Sequence, residues 1–325
     1  MSADTPMIDA PAIDKATLRQ LMQPSLFQWS IRVSGDWLLI VGPMLLAGYT
    51  RHWAGYVFAL LMAGIGQHRL AMMAHEGTHR QILRNKRFND FLTGMFCMWP
   101  FGNPVGGWRR YHFTHHRYTN TDGDSELWQK AKSSPAWDLP ATRWTVLKYF
   151  VGDVCLLHMK ELAYRSQSAR PGTSWMDGSM PNVWQICAAS MLLYFGQWWV
   201  IIVWYLGMAM VFWPIFRLRI WTEHVGAHDV HRIYAPWYVR WWWLPHNTWC
   251  HYEHHYYPQV PCWNLPKVRK LMGDTPEVLP LFAIIHSIEH APPTISGEPI
   301  RVLREGSPKF DPRVVAEIPT EWEAA

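Results

Sequence analysis

The sequence predicts an all-α integral membrane protein, with about four transmembrane helices in two hairpins and a cytoplasmic helical cap. Three observations carry this. Two apolar segments, residues 37–49 and 53–66, are separated only by a short polar break. No charged side chain occurs between Asp177 and Arg217. The 17 histidines of the 325-residue chain cluster outside these segments.

Composition agrees. Charged residues make up 17%, against roughly 25% in ordinary soluble domains. The 22 Trp and 15% aromatic content exclude a disordered chain. Five Cys, an odd number with no CxxC pair, exclude a small disulfide scaffold. The slightly negative mean hydropathy of −0.13 misleads, because Trp, Tyr and His score as polar yet sit well at membrane interfaces. The net charge of +5 suits a membrane-surface face or an acidic protein partner. No interleaving of basic and aromatic residues points to nucleic acid.

Taken in order, residues 1–30 hold Asp4, Asp9 and Asp14 and no early apolar run, so no secretory signal is expected. Residues 17–27 read as a short surface helix. The runs 37–49 and 53–66 form a helical hairpin turning near Thr50. Residues 91–101 are apolar but broken by Pro100, Gly102 and Pro104, too short to span. Residues 183–216 are too long for one span and fit two, meeting near Gly196 and Gln197. Arg80, Arg84, Lys86, Arg87, Arg109, Arg110, Arg217, Arg219, Lys267, Arg269 and Lys270 all fall outside the hairpins, so the basic face is cytoplasmic. Both termini are then cytoplasmic, including the Pro-rich tail 291–325. Residues 1–325 read as a single domain.

Three histidine clusters follow the apolar segments: His75-Glu76-Gly77-Thr78-His79, His112-Phe113-Thr114-His115-His116 and His251-Tyr252-Glu253-His254-His255. Residues three or four apart share a helix face, so each cluster aims two or three imidazoles in one direction. Imidazole suits iron, zinc, copper and nickel. If the broken segment does not cross, all three clusters emerge on the cytoplasmic side and can converge. His224, just beyond the last apolar run, is preferred over His228 as a ninth ligand. His52, His68, His158, His246, His286 and His290 read as ordinary structural residues. Nine imidazoles exceed the needs of one metal, so the cap is expected to hold a histidine-rich di-metal site. Asn247, one turn before His251, reads either as the holder of a metal-bound water or as a helix N-cap. Glu76, Glu223, Glu253, Asp122 and Asp124 could orient imidazoles.

The order HxxxH, HxxHH, RxRxxxEH and NxxxHxxHH, followed by His254-His255-Tyr256-Tyr257-Pro258 and Asn264-Leu265-Pro266-Lys267, resembles the membrane fatty acid desaturase superfamily and the related carotenoid ketolases and hydroxylases. The resemblance runs from about Trp37 to Lys270. It implies two iron ions, dioxygen as co-substrate and attack on an unactivated C–H bond of a lipid-like chain. The ligands implied are His75, His79, His112, His115, His116, His224, His251, His254 and His255, with Asn247 acting through water. A fatty acyl desaturase is the first expectation and a hydroxylase or ketolase the alternative. The first box has three intervening residues, as in the shorter branch of the family.

No cluster-like Cys spacing is present, so electrons are expected from a separate protein such as a ferredoxin, drawn to the basic face. The acyl group could come on a lipid, on coenzyme A or on an acyl carrier protein. In a bacterium the location would be the inner membrane. Two other classes compete. His75-Glu76-Gly77-Thr78-His79 also fits HExxH, in which Glu76 is the general base of a membrane-embedded zinc metalloprotease. A metal transporter needs ligands within the bilayer, whereas these lie beyond the span ends.

Overall fold

In the computed structural model, residues 13–121, 123–167, 173–227, 229–273 and 278–287 are described. The start of the N-terminal segment, Asp122, His228, His290, the side chain of His286 and the tail 291–325 lie outside them.

Helix α1 (Lys15–Leu21) begins at Asp14, whose carboxylate accepts from the amides of Ala16 and Thr17. The single helix expected over 17–27 is corrected. Pro24 lacks an N–H and restricts Gln23, and Ser25 then caps a new helix by accepting from Gln28 N at 3.3 Å. That helix, α2 (Leu26–Thr50), contains the whole first apolar run and is 25 residues long. It turns at Arg51, which takes the left-handed conformation (φ 50°). His52 then caps α3 (Trp53–Thr78) by accepting from Ala54 N.

A short α4 (Lys86–Thr93), a π turn (Gly94–Met98) and a 3-10 turn (Trp99–Phe101) form the expected broken segment. The cap helices are α5 (Val105–Tyr118), α6 (Ser125–Lys132), α7 (Arg143–Val154) and α8 (Met159–Gln167). Next, α9 (Trp175–Tyr194) and α10 (Trp198–Gly207) turn at Gly196, whose φ of 69° favours glycine. A π turn (Met208–Phe212) joins α10 to α11 (Trp213–Glu223). The chain closes with α12 (Trp237–Trp242), α13 (His251–Tyr256), α14 (Leu265–Met272) and α15 (Leu281–Ser287). One departure from an all-α chain is a two-residue parallel pairing of β1 (Ile233–Tyr234) with β2 (Leu279–Pro280).

Among the described residues, three helices are long and apolar enough to cross a membrane: Leu26–Thr50, Trp53–Thr78 and Trp198–Glu223. The expected fourth, α9, falls short. It carries Asp177, Pro181 and Gln185, and two of these bond to other elements: Asp177 accepts from Gly107 N of α5 and Gln185 donates to Pro100 O of the broken segment. Four spans are therefore not confirmed.

The centre of the bundle is α3, packed against α2, α10 and the π turn. A Cβ on Gly64 would stand 2.3 Å from Val211 Cβ, so the close approach of α3 to α10–α11 requires glycine there. Two buried charged groups inside the apolar helices are paired, as burial demands. Asp36, fully buried in α2, accepts from Arg69 Nε at 2.6 Å and faces His246 Nε2 at 2.7 Å. Arg217, fully buried in α11, binds Asp153 through Nε, reaches Glu161 Oε2 at 2.7 Å and lies over the Trp137 ring at 4.9 Å. These contacts tie the cap helices α7 and α8 to the apolar bundle.

Candidate metal centre

Each histidine cluster stands where an apolar helix ends or a cap helix points inward. His75 and His79 occupy the last turn and C-cap of α3, and His112, His115 and His116 share one face of α5. His224 is the C-cap of α11, and His251, His254 and His255 lie on α13. These four elements converge. His75, His79, His112, His116 and His254 present ring nitrogens within 4.8 Å of one another. A second group holds His115, His224 and His255, and a third, sharing His224, holds Glu223 and His251. All nine expected histidines therefore meet.

The nitrogens fit cations better than they fit one another. Nε2 of His112 faces Nε2 of both His79 and His116 at 2.9 Å, yet a single ring hydrogen can serve only one of them. Nε2 of His254 lies 3.1 Å from that of His116, and Nε2 of His224 lies 2.9 Å from that of His251. Adjacent nitrogens at about 2.1 Å from an octahedral ion stand roughly 3 Å apart. Nε2 of His75, His115 and His255 is buried without a hydrogen-bond partner. Such a concentration of inward lone pairs is costly unless a metal fills it.

Several outward nitrogens are held. His115 Nδ1 bonds Asp124 Oδ1 at 2.9 Å, and Asp124 Oδ2 accepts from Asn120 N. Asn120 Nδ2 lies 3.1 Å from the carbonyl of His224 and 2.9 Å from that of Asp229, joining the second cluster to the ninth histidine. His75 Nδ1 faces Glu76 Oε1 at 3.3 Å, and Thr119 Oγ1 faces His255 Nδ1 at 3.4 Å. Such partners fix which nitrogen points inward and raise ligand basicity. The role of Asn120 was not legible in the sequence, because its partners lie about a hundred residues away. Glu253 is turned from the centre to Arg232 at 2.6 Å.

Glu76 does not fit a protease base. Its Oε2 accepts from Cys262 N at 2.7 Å while Oε1 meets His75, so both oxygens are engaged in positioning. Glu76→Gln should lower metal affinity about 10–100-fold yet leave measurable turnover. Complete loss with full metal retention would mark a general base instead. Asn247 is no N-cap: it is left-handed (φ 64°) with no capping bond. Its amide donates to Cys262 O at 3.0 Å and accepts from Trp249 Nε1 at 3.4 Å.

Burial is the leading cause holding His79, His112, His116, His224, His251, His254 and His255 well below the usual imidazole range. These rings are neutral at pH 7, the state that binds metal. In the metal-free protein, the unfolded chain binds more protons than the folded one once pH drops below about 6.5. Stability is therefore present above that pH and is lost as pH falls. Thermal melting of metal-stripped protein should show a falling midpoint between pH 7 and 5; a flat profile would contradict neutral burial.

A cavity of about 320 Å³ reaches the centre. Its walls include Met72, Met208, Phe212 and Ile220 from the apolar helices and Phe101 from the broken segment, and it ends on His75, His112, His115, His224 and His251. It forms a mostly apolar passage from the bundle to the converging histidine nitrogens.

Residues 51–285 match the family described as fatty acid desaturase. The chain belongs to the fatty acid desaturase family. Within it, the chain is 24% identical over 274 residues to an sn-1 acyl-lipid omega-3 desaturase (ferredoxin) of Nostoc sp., covering 73% of this chain and 74% of that one. It is 26% identical to the human sphingolipid delta(4)-desaturase/C4-monooxygenase DES2, covering 81% and 79%. Against a beta-carotene ketolase of Paracoccus sp. the identity is 24%, covering 63% and 75%. The family and the three apolar helices make this a membrane protein, and these relatives are lipid desaturases and related oxygenases.

Proposed function

We propose that the protein is a di-iron, oxygen-dependent oxidoreductase acting on unactivated C–H bonds of a lipid-like chain, first of all a fatty acyl desaturase. The carrying observation is the apolar cavity that ends on five of the nine converging histidines. His75, His79, His112, His116 and His254 would hold one iron, and His115, His224, His251 and His255 the other. Bound iron supplies the redox chemistry with dioxygen that acid–base groups cannot perform on an alkyl chain.

The chain's own residues do the rest. Asp124, Glu76 and Thr119 fix ring orientation. Phe212, Phe216 and Met208 exclude water and seat the chain. Asn247, whose amide bonds Cys262 O and Trp249 Nε1, would act on the second iron through a water. Hydroxylation or ketone formation by the same site is the second reading, favoured by the C4-monooxygenase and ketolase names among the relatives. Expression in a host with varied lipids, followed by mass spectrometry, tests this: products two hydrogens lighter support desaturation, an added oxygen supports the second reading, and no oxygen-dependent product contradicts both.

The protein is multi-pass in this reading, with the site on the cytoplasmic side. Helix α9 crosses as a fourth span, supported by its tight turn into α10 and by the exposed Ile186, Met191 and Leu193. Electrons arrive from a separate donor of the ferredoxin kind, the class named for the Nostoc relative. Arg84, Lys86, Arg87, Lys267 and Lys270 are exposed, whereas Arg269 lies over Trp249 at 4.7 Å and serves the fold. Turnover with a soluble acidic donor should fall steeply with salt, since exposed charges are screened over roughly 10 Å at 0.1 M. Neutralising Lys267 and Lys270 should flatten that dependence; a salt-independent rate under limiting donor rules out steering.

A further inference from the structure

We infer that Glu223 is a carboxylate ligand of the second metal, so that the two metals have unlike donor sets. This rests on the two-metal reading above. The first group gathers five imidazoles; the second and third together gather only four: His115, His224, His251 and His255. Glu223 brings the second set to five.

The geometry places it there. Glu223 is buried on the last turn of α11, immediately before His224, and lines the cavity beside His224 and His251. Its Oε1 accepts from Arg219 Nε at 2.7 Å. Its Oε2 points the other way, 3.5 Å from His251 Nε2, the nitrogen that faces His224 Nε2 at 2.9 Å. The carboxylate oxygen and the two nitrogens lie within 4.8 Å of one another. Arg219 thus fixes the side chain by one oxygen and leaves the other aimed at the centre, as a partner beyond a ligand does.

Cobalt(II) titration of the metal-stripped, detergent-purified protein separates ligation from a purely structural ion pair. Its visible spectrum reports ligand type whichever metal is native. Wild type should take two cobalt ions. Glu223→Gln should weaken the second by about tenfold or more and shift its visible bands, leaving the first unchanged. Arg219→Gln breaks the same ion pair but keeps the carboxylate, so the second ion should bind more weakly yet keep its wild-type bands. Should Glu223→Gln fail to assemble, Glu223→Asp withdraws the oxygen by one methylene while keeping the charge, and the same weakening is expected. Two cobalt ions with wild-type bands in the Glu223 variant, or the same band shift in the Glu223 and Arg219 variants, would overturn the assignment. Iron content, measured separately, tests the two-iron reading, so the two failures remain distinct.

Discussion

His251→Ala is expected to abolish oxygen-dependent turnover while the protein still accumulates in the membrane. Insertion depends on the apolar helices Leu26–Thr50, Trp53–Thr78 and Trp198–Glu223, none of which contains His251. The metal set does depend on it, since its Nε2 stands 2.9 Å from that of His224 in the buried second group. Losing a group that merely orients a ligand costs about 10–100-fold in metal affinity, and losing the ligand itself costs more. Turnover at background with metal content reduced, in normally fractionating protein, is the expected result. Full turnover would remove His251 from the centre.

The largest stability effect is expected from Arg217→Ala. Its removal leaves Asp153 fully buried and Glu161 nearly so, with no guanidinium between them. Breaking a buried pair by deleting one partner costs about 3–5 kcal/mol. Lost stacking on Trp137, itself packed on Trp221 with ring centroids 5.4 Å apart, adds to this. Arg217→Lys should fall between the two, because an ammonium cannot form the planar fork that meets two carboxylates. Denaturation in detergent measures both variants; a loss below about 1 kcal/mol for the Ala variant would contradict a supporting role.

Much of the layout was legible because its signals are local. Arg51 after an uncharged run, and Gly196 within one, mark turns that follow from charge and backbone freedom alone. Histidines three and four apart must share a helix face, so the clusters announced a site before any tertiary contact was known. The break at Pro24 was missed because residues 17–27 carry a helical pattern on both sides of it. The fourth span is not confirmed by length and composition: the stretch 183–216 lacks charge, but α9 starts at Trp175 and brings in Asp177, which accepts from Gly107 N of α5. Contacts between distant segments left no local trace. Asp36 meets Arg69 and His246, and Asn120 reaches the backbone at His224, only once the chain has folded. Glu223 could be suspected from its place beside His224, but its distance to His251 could not.

The most direct test of a lipid-oxidising centre built by these histidines is the metal content of protein purified from its own membrane. Two irons per chain are expected, both lost when His112 and His115 are replaced together. A single zinc per chain, or two irons that survive that replacement, would contradict the centre described.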